Sequence, residues 1–235
     1  MAAVTERKLF FDTGPIITLV MSRLVWILPE LKKQFGGKFY ITPAVKRELV
    51  TRPMDIKRYE FEALEALKLI KDGVLEVYDD IPEKEVTRLH TLANSSFKLD
   101  NQNMEVVQSG EIESVVCALD AGAEAIVMDE RTLRLFIENN AEMKALLERR
   151  FQKPITVDKE NMKSFSKEFG GLKIIRSIEL ICVAYKMGLL NCYVPTQKNG
   201  RETLLEAILW AAKYNGAAVT EHEVEEIKDL MLKNK

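Results

Sequence analysis

The chain has 235 residues, 47% of them hydrophobic and 30% charged, and a formal net charge of −2. This balance excludes a largely disordered chain, and 11 Gly with only 7 Pro exclude a collagen-like or linker-rich one. There is no overall basic footprint, so a nucleic-acid partner has to be held by a local patch or through a metal.

The start, MAAVTERKLFF, lacks the apolar core of a secretory signal. Residues 8–11 (KLFF) read as a short strand ending at Asp12, and Gly14-Pro15 opens a helix, where Pro suits a first turn. Residues 25–35 read as a helix closed by Gly36-Gly37, and residues 38–42 (KFYIT) as a second strand. Pro43 starts the helix AVKRELV, which is followed by an amphipathic helix over 55–71, a strand over 74–78 and a helix over 82–94. Residues 95–108 read as a polar loop. A helix over 110–121 then leads through Gly122 to a strand at Ala125–Met128. Two helical pieces are expected over 131–150, short strands at 154–157 and 172–176, and a helix over 177–187. Two further helices are expected near 201–214 and 220–234, the first carrying Leu204, Leu205, Ile208, Leu209 and Ala212 on one stripe that packs on the main domain or, alternatively, supports a dimer or docks a partner helix.

Strands alternating with helices predict an α/β domain around a mainly parallel sheet over residues 1–190, with a helical extension over 191–235 packed on it. The most apolar stretches, 112–128 and 178–190, are broken by Glu113, Asp120, Glu124, Glu179 and Lys186, so no membrane span is expected. Cys117, Cys182 and Cys192 are odd in number and form no CxxC pair. They read as small buried residues of a reducing, cytoplasmic protein. The chain holds no GxxxxGK[ST] loop, and Gly14 stands where an aspartyl phosphatase needs its second Asp.

In open parallel sheets, ligands bind beyond the carboxyl ends of the strands. Asp12 and Asp129 directly follow two apolar strands, while Glu48 and Glu111 lie on helices leaving the same rim. Alone, each acid has an ordinary explanation as a turn former, helix cap or solvated helix residue. Together they repel one another unless a divalent cation joins them. Mg²⁺ and Mn²⁺ favour carboxylate oxygen and commonly bridge to phosphate, which points to metal-assisted phosphodiester hydrolysis. Glu113 competes with Glu111 for the third position, because the two flank opposite borders of the buried stripe Ile112, Val115, Val116 and Leu119.

The segments FFDTGPI (10–16), ITPAVKREL (41–49), SGEIESVVCALDAGAEAIVMDERTLR (109–134) and IIRSIEL (174–180) resemble the PIN-domain nuclease family. The resemblance covers residues 8 to about 135 well and to about 190 loosely. It implies a three-layer α/β/α sandwich and a ribonuclease using one or two Mg²⁺ or Mn²⁺ ions, with Asp12, Glu48, Glu111 and Asp129 as its four acids. It also implies Thr13 as the small polar residue after the first acid, and Ser177 as a hydroxyl beside metal water or phosphate. Arg131, Arg134 and Arg176 are candidates for holding the scissile phosphate. The chain departs from the family by carrying Glu111 where Asp is commoner and by a helical insertion over about 135–170. RNA is the implied substrate, and the resemblance also admits a homodimer and an antitoxin or other protein partner. The alternative is a catalytically inactive PIN-like module that binds RNA or a protein.

Overall fold

The computed structural model describes residues 6–138, 140–169 and 171–233, so residues 1–5 of the opening MAAVTERKLFF and the end of the last expected helix lie outside the described residues. The chain opens with β1 (Lys8–Phe11), α1 (Thr13–Met21), α2 (Ile27–Phe35), β2 (Lys38–Ile41) and α3 (Pro43–Lys46). The last of these runs into one wide π turn (Arg47–Thr51) and a 3-10 turn (Pro53–Asp55). Next come α4 (Glu60–Lys71), β3 (Glu76–Val77), α5 (Glu83–Ser95), β4 (Phe97–Leu99), β5 (Gln102–Asn103), α6 (Ser109–Asp120) and β6 (Ala125–Val127). The second half holds α7 (Arg131–Glu138), α8 (Asn140–Phe151), β7 (Thr156–Val157), α9 (Lys159–Glu168), β8 (Lys173–Ile175) and α10 (Ser177–Lys186). A 3-10 turn (Leu189–Tyr193), α11 (Gly200–Tyr214) and α12 (Glu221–Lys233) complete it.

This is an α/β fold on a five-stranded parallel sheet ordered β3-β2-β1-β6-β8. Strands buried on both faces read as unbroken apolar runs, as LFF and AIV do here. Successive side chains leave opposite faces. Leu9, Phe11 and Val127 enter one core with Ile16, Leu19, Ile178 and Ile181, whereas Phe10, Ile126 and Met128 enter the other with Val115, Phe136 and Phe165. Helices therefore cover both faces, an arrangement compatible with a three-layer sandwich. The α11 stripe Leu204, Leu205, Ile208, Leu209 and Ala212 is buried in the first of these cores, as expected.

The chain moves outward from β1 through β2 to β3, then crosses to the other side of β1 for β6 and β8. The sheet order thus reverses between β1 and β6. At such a switch point the flanking loops part and leave a crevice beyond the strand ends.

Five expectations need correction. The helix expected over 55–71 begins at Glu60, because Pro53 nucleates a 3-10 turn and further turns precede Tyr59. The strand expected over 74–78 is only Glu76–Val77. The polar loop expected over 95–108 contains a hairpin, β4 with β5, joined by Asp100 and Asn101 at φ 50° and 65°. These two residue types tolerate the left-handed conformation that a two-residue hairpin demands. β7 pairs antiparallel with β4, so the insertion over 135–170 is not purely helical. Among the free cysteines Cys117 is buried, Cys182 half-buried and Cys192 exposed, so the expectation of three buried thiols fails at Cys192. Among the described residues no helix is long and apolar enough to cross a membrane.

Candidate functional site

The ends of β1 and β6 are tied together by the Asp12 N–H, which donates to the Val127 carbonyl at 2.9 Å. Asp12 sits at the N-cap of α1, where the N–H groups of Thr13 and Gly14 favour its charge without forming an aligned capping bond. Glu48 lies in the π turn that follows α3, and its Oε2 accepts from Thr13 Oγ1 at 2.8 Å. Glu111 is in the first turn of α6 and reaches back to accept from the Gln108 N–H at 3.0 Å. Asp129, two residues beyond β6, is held on both oxygens. Oδ1 accepts from the Ser177 N–H at 2.8 Å and Oδ2 from Thr18 Oγ1 at 3.1 Å.

Asp12, Glu48, Glu111 and Asp129 line one cleft of about 460 Å³, together with Thr13, Gln108, Glu130 and Arg131. The backbone comes close here. A side chain on Gly14 would meet Cβ of Asp129 at 3.4 Å, and one on Gly110 would meet Glu48 Oε1 at 3.4 Å. Gly216 and Ala218, in the link between α11 and α12, also border the cleft.

The electrostatics follow from burial and crowding. Burial pushes the Asp12 carboxyl up to about 6; the Thr13 and Gly14 N–H groups oppose the rise and the charges of Glu48 and Asp129 reinforce it. Burial pushes Glu111 up to about 8, the Gln108 N–H opposes, and Glu130, Asp12 and Glu48 add repulsion. Asp129 is also raised by burial, against the pull of Ser177, Thr18 and Arg176. Without a counter-charge the pocket would take up protons at neutral pH. A cation would replace them. The donors are carboxylates, hydroxyls and amide oxygen, the hard set preferred by Mg²⁺ and Mn²⁺. Among the described residues no three Asp, Glu, His or Cys side chains form a closed metal-binding group.

The fold separates Glu111 from Glu113. Glu113 Oε1 accepts from the Ala44 N–H at 3.0 Å, at the start of α3, and lines a neighbouring groove with Arg47 and Arg52. Ser177 does not reach the cleft. It is buried behind Asp129, its hydroxyl beside that carboxylate but without an aligned hydrogen bond among the described residues. Arg131 does line the cleft. Its Nη2 donates to Glu142 at 3.2 Å, and its buried Nε has no partner among the described residues. Arg176, expected to be a phosphate ligand, is instead taken up by Glu179 at 3.1 Å and Glu223 at 2.9 Å.

Three contributors were missed in the sequence. Glu130 adjoins Asp129, and its carboxylate accepts the Thr132 N–H, so the DE pair was the available signal. Thr18 is a buried hydroxyl in a stretch that is apolar from Pro15 to Met21 apart from it, which marks it as a group with a partner to find. Gly216 had no local signal, since only the tertiary fold carries the C-terminal link over the cleft. No family model, curated protein or solved structure matches this chain.

Proposed function

We propose that the protein is a PIN-like, metal-dependent endoribonuclease. The observation that carries this reading is the convergence of Asp12, Glu48, Glu111 and Asp129, from four separate elements, on one cleft where burial opposes the charge of Asp12, Glu111 and Asp129. Its position at the reversal point of a parallel sheet supports a ligand site there. The choice of RNA, and of the PIN-like form of the sandwich, rests on the sequence resemblance.

The four acids would hold one or two Mg²⁺ or Mn²⁺ ions, which when bound supply a water of lowered pKa and charge neutralisation at the phosphate. Thr13 positions Glu48, and Thr18 with the Ser177 N–H fixes the orientation of Asp129. Glu111 is tethered by one oxygen to the Gln108 N–H. Arg131 lines the acid cleft, and its guanidinium is suited to orient a phosphate oxygen by a charged hydrogen bond. Glu130 adds negative charge that deepens the preference for a cation.

The test is cleavage of single-stranded RNA with Mn²⁺ or Mg²⁺ by the wild type, Asp12→Asn and Asp129→Asn. The expected result is cleavage by the wild type alone, abolished by chelator. Cleavage that persists in both variants and in chelator refutes the proposal. A wild type that binds Mn²⁺ and RNA without cutting would favour the non-catalytic alternative.

A further inference from the structure

A second cavity, of about 540 Å³, opens beside the acid cleft and shares Glu48 and Gly216 with it. Its walls come from α1, the π turn after α3, α4 and the end of α11. They include Ile17, Val20, Leu49, Ala63, Tyr59 and Tyr214. This lining is mostly apolar, with two aromatic rings at the surface. Tyr214 is 72% exposed and stacks on Trp210 with ring centroids 5.6 Å apart. One more group lines the cavity. Glu62 on α4 has a buried Oε2 that meets no hydrogen-bond donor among the described residues. The terminal torsion of a glutamate is soft, so a small rotation presents that oxygen to the cavity.

We propose that this cavity is a nucleobase subsite, receiving the base next to the phosphate held in the acid cleft. The inference rests on the nuclease reading above and deepens it by naming which part of the substrate is recognised and how. Three observations select a base over a purely apolar ligand. The cavity adjoins the acid cleft and shares Glu48 and Gly216 with it, which suits a base and its own phosphate placed side by side. Tyr59 and Tyr214 line the cavity, Tyr214 as one end of a stacked pair with Trp210 that a base can extend, and bases stack on aromatic side chains whatever their identity. Glu62 Oε2 is an acceptor with no donor among the described residues, and a base carrying an amino group supplies one. An aliphatic ligand would leave that oxygen unpaired.

The same geometry sets a preference. Adenine, cytosine and guanine carry exocyclic amino donors on their pairing edges, whereas uracil presents one imino N–H between two carbonyl oxygens that the carboxylate repels. The cavity therefore favours an amino-bearing base over uracil.

The test needs neither phosphate nor metal. Trp210 lies 5.6 Å from Tyr214, ring to ring, and Trp26→Phe leaves it as the sole tryptophan. Cytidine and uridine are titrated in chelator against this variant, following Trp210 emission. The expected result is a saturable response to cytidine, with uridine about tenfold weaker. Adding Tyr214→Ala weakens cytidine about tenfold or more, and Tyr214→Phe restores it. Adding Glu62→Gln brings the two nucleosides within about twofold. No saturable response to cytidine, or one indifferent to Tyr214→Ala, overturns the proposal. So does binding of an apolar dye in the cavity without any nucleoside binding, which would assign it to an apolar ligand. The Mn²⁺-induced rise in melting temperature is measured on the same variants. Its loss in the wild type tells against the metal site, whereas failure of the nucleoside response alone tells against the base subsite.

Discussion

Asp12→Asn should make the metal-free protein more stable and the metal-loaded protein no better. The Asp12 carboxyl is raised from 3.8 to about 6, chiefly by burial, with Glu48 and Asp129 adding repulsion. Its folded-state pKa lies above its unfolded value, so the folded state holds the extra proton and stability falls as pH rises through that interval. Below about pH 3.8 the penalty is absent; it grows to about pH 6 and is constant beyond. A rise from 3.8 to about 6 corresponds to about 3 kcal/mol against folding at pH 8. Asn occupies the same N-cap about as well as Asp and carries no charge. For a chain of this size the gain is about 6–12 °C in melting temperature at pH 8 in chelator. It should shrink to nothing near pH 3. Mn²⁺ should raise the melting point of the wild type and leave Asp12→Asn where it was. The assay is thermal unfolding at pH 3, 5 and 8, with Mn²⁺ or chelator. An Asp12→Asn variant that is less stable than the wild type at pH 8 in chelator, yet still gains from Mn²⁺, would refute the reasoning.

Two further outcomes test how the neighbouring groups are assigned. Glu111→Gln should lose the Mn²⁺-dependent melting shift, while Glu113→Gln should keep it and cost about 1 kcal/mol, since it only weakens a charged acceptor at the Ala44 N–H. Equal effects of the two on the metal shift would reverse the assignment. Arg176→Ala should cost about 1–3 kcal/mol by stripping Glu223 of its 2.9 Å partner. Hydrogen exchange should then quicken along α12 ahead of the rest of the chain, and uniform exchange would show that the pair does not hold this helix.

The sheet and the two acids at its strand ends could be read from the sequence because both depend on short-range signals. KLFF followed by Asp12, and AIVM followed by Asp129, place an acid where an apolar strand must end, and parallel strands put those ends on one rim. What could not be read depends on contacts between distant residues. Glu111 and Glu113 stand at equivalent borders of one helical stripe, and only the approach of α3, whose Ala44 N–H captures Glu113, distinguishes them. Arg176 was expected at the phosphate from its place before Ser177. It turns away because Glu223, 47 residues later, competes for it. The β4–β5 hairpin was missed because its strands are two or three residues long and half polar, too short to show an alternating pattern, although Asp100-Asn101 was a usable turn signal.

The C-terminal link can be tested as part of the site. Gly216 has φ 123°, a conformation that residues with a side chain rarely adopt, and a Cβ there would lie 3.1 Å from Thr18 Oγ1. That hydroxyl is the donor to Asp129 Oδ2. Gly216→Ala therefore does two things at once: it strains the link by about 1–3 kcal/mol and pushes on the residue that orients the fourth acid. Thr18→Val removes the same donor without crowding the link. If the tail acts through Thr18, both variants should reduce the Mn²⁺-dependent melting shift, and Gly216→Ala should show the larger loss of stability in chelator. If Gly216→Ala lowers the melting point but leaves the metal shift at its wild-type size, the link merely covers the cleft and Asp129 is oriented without it.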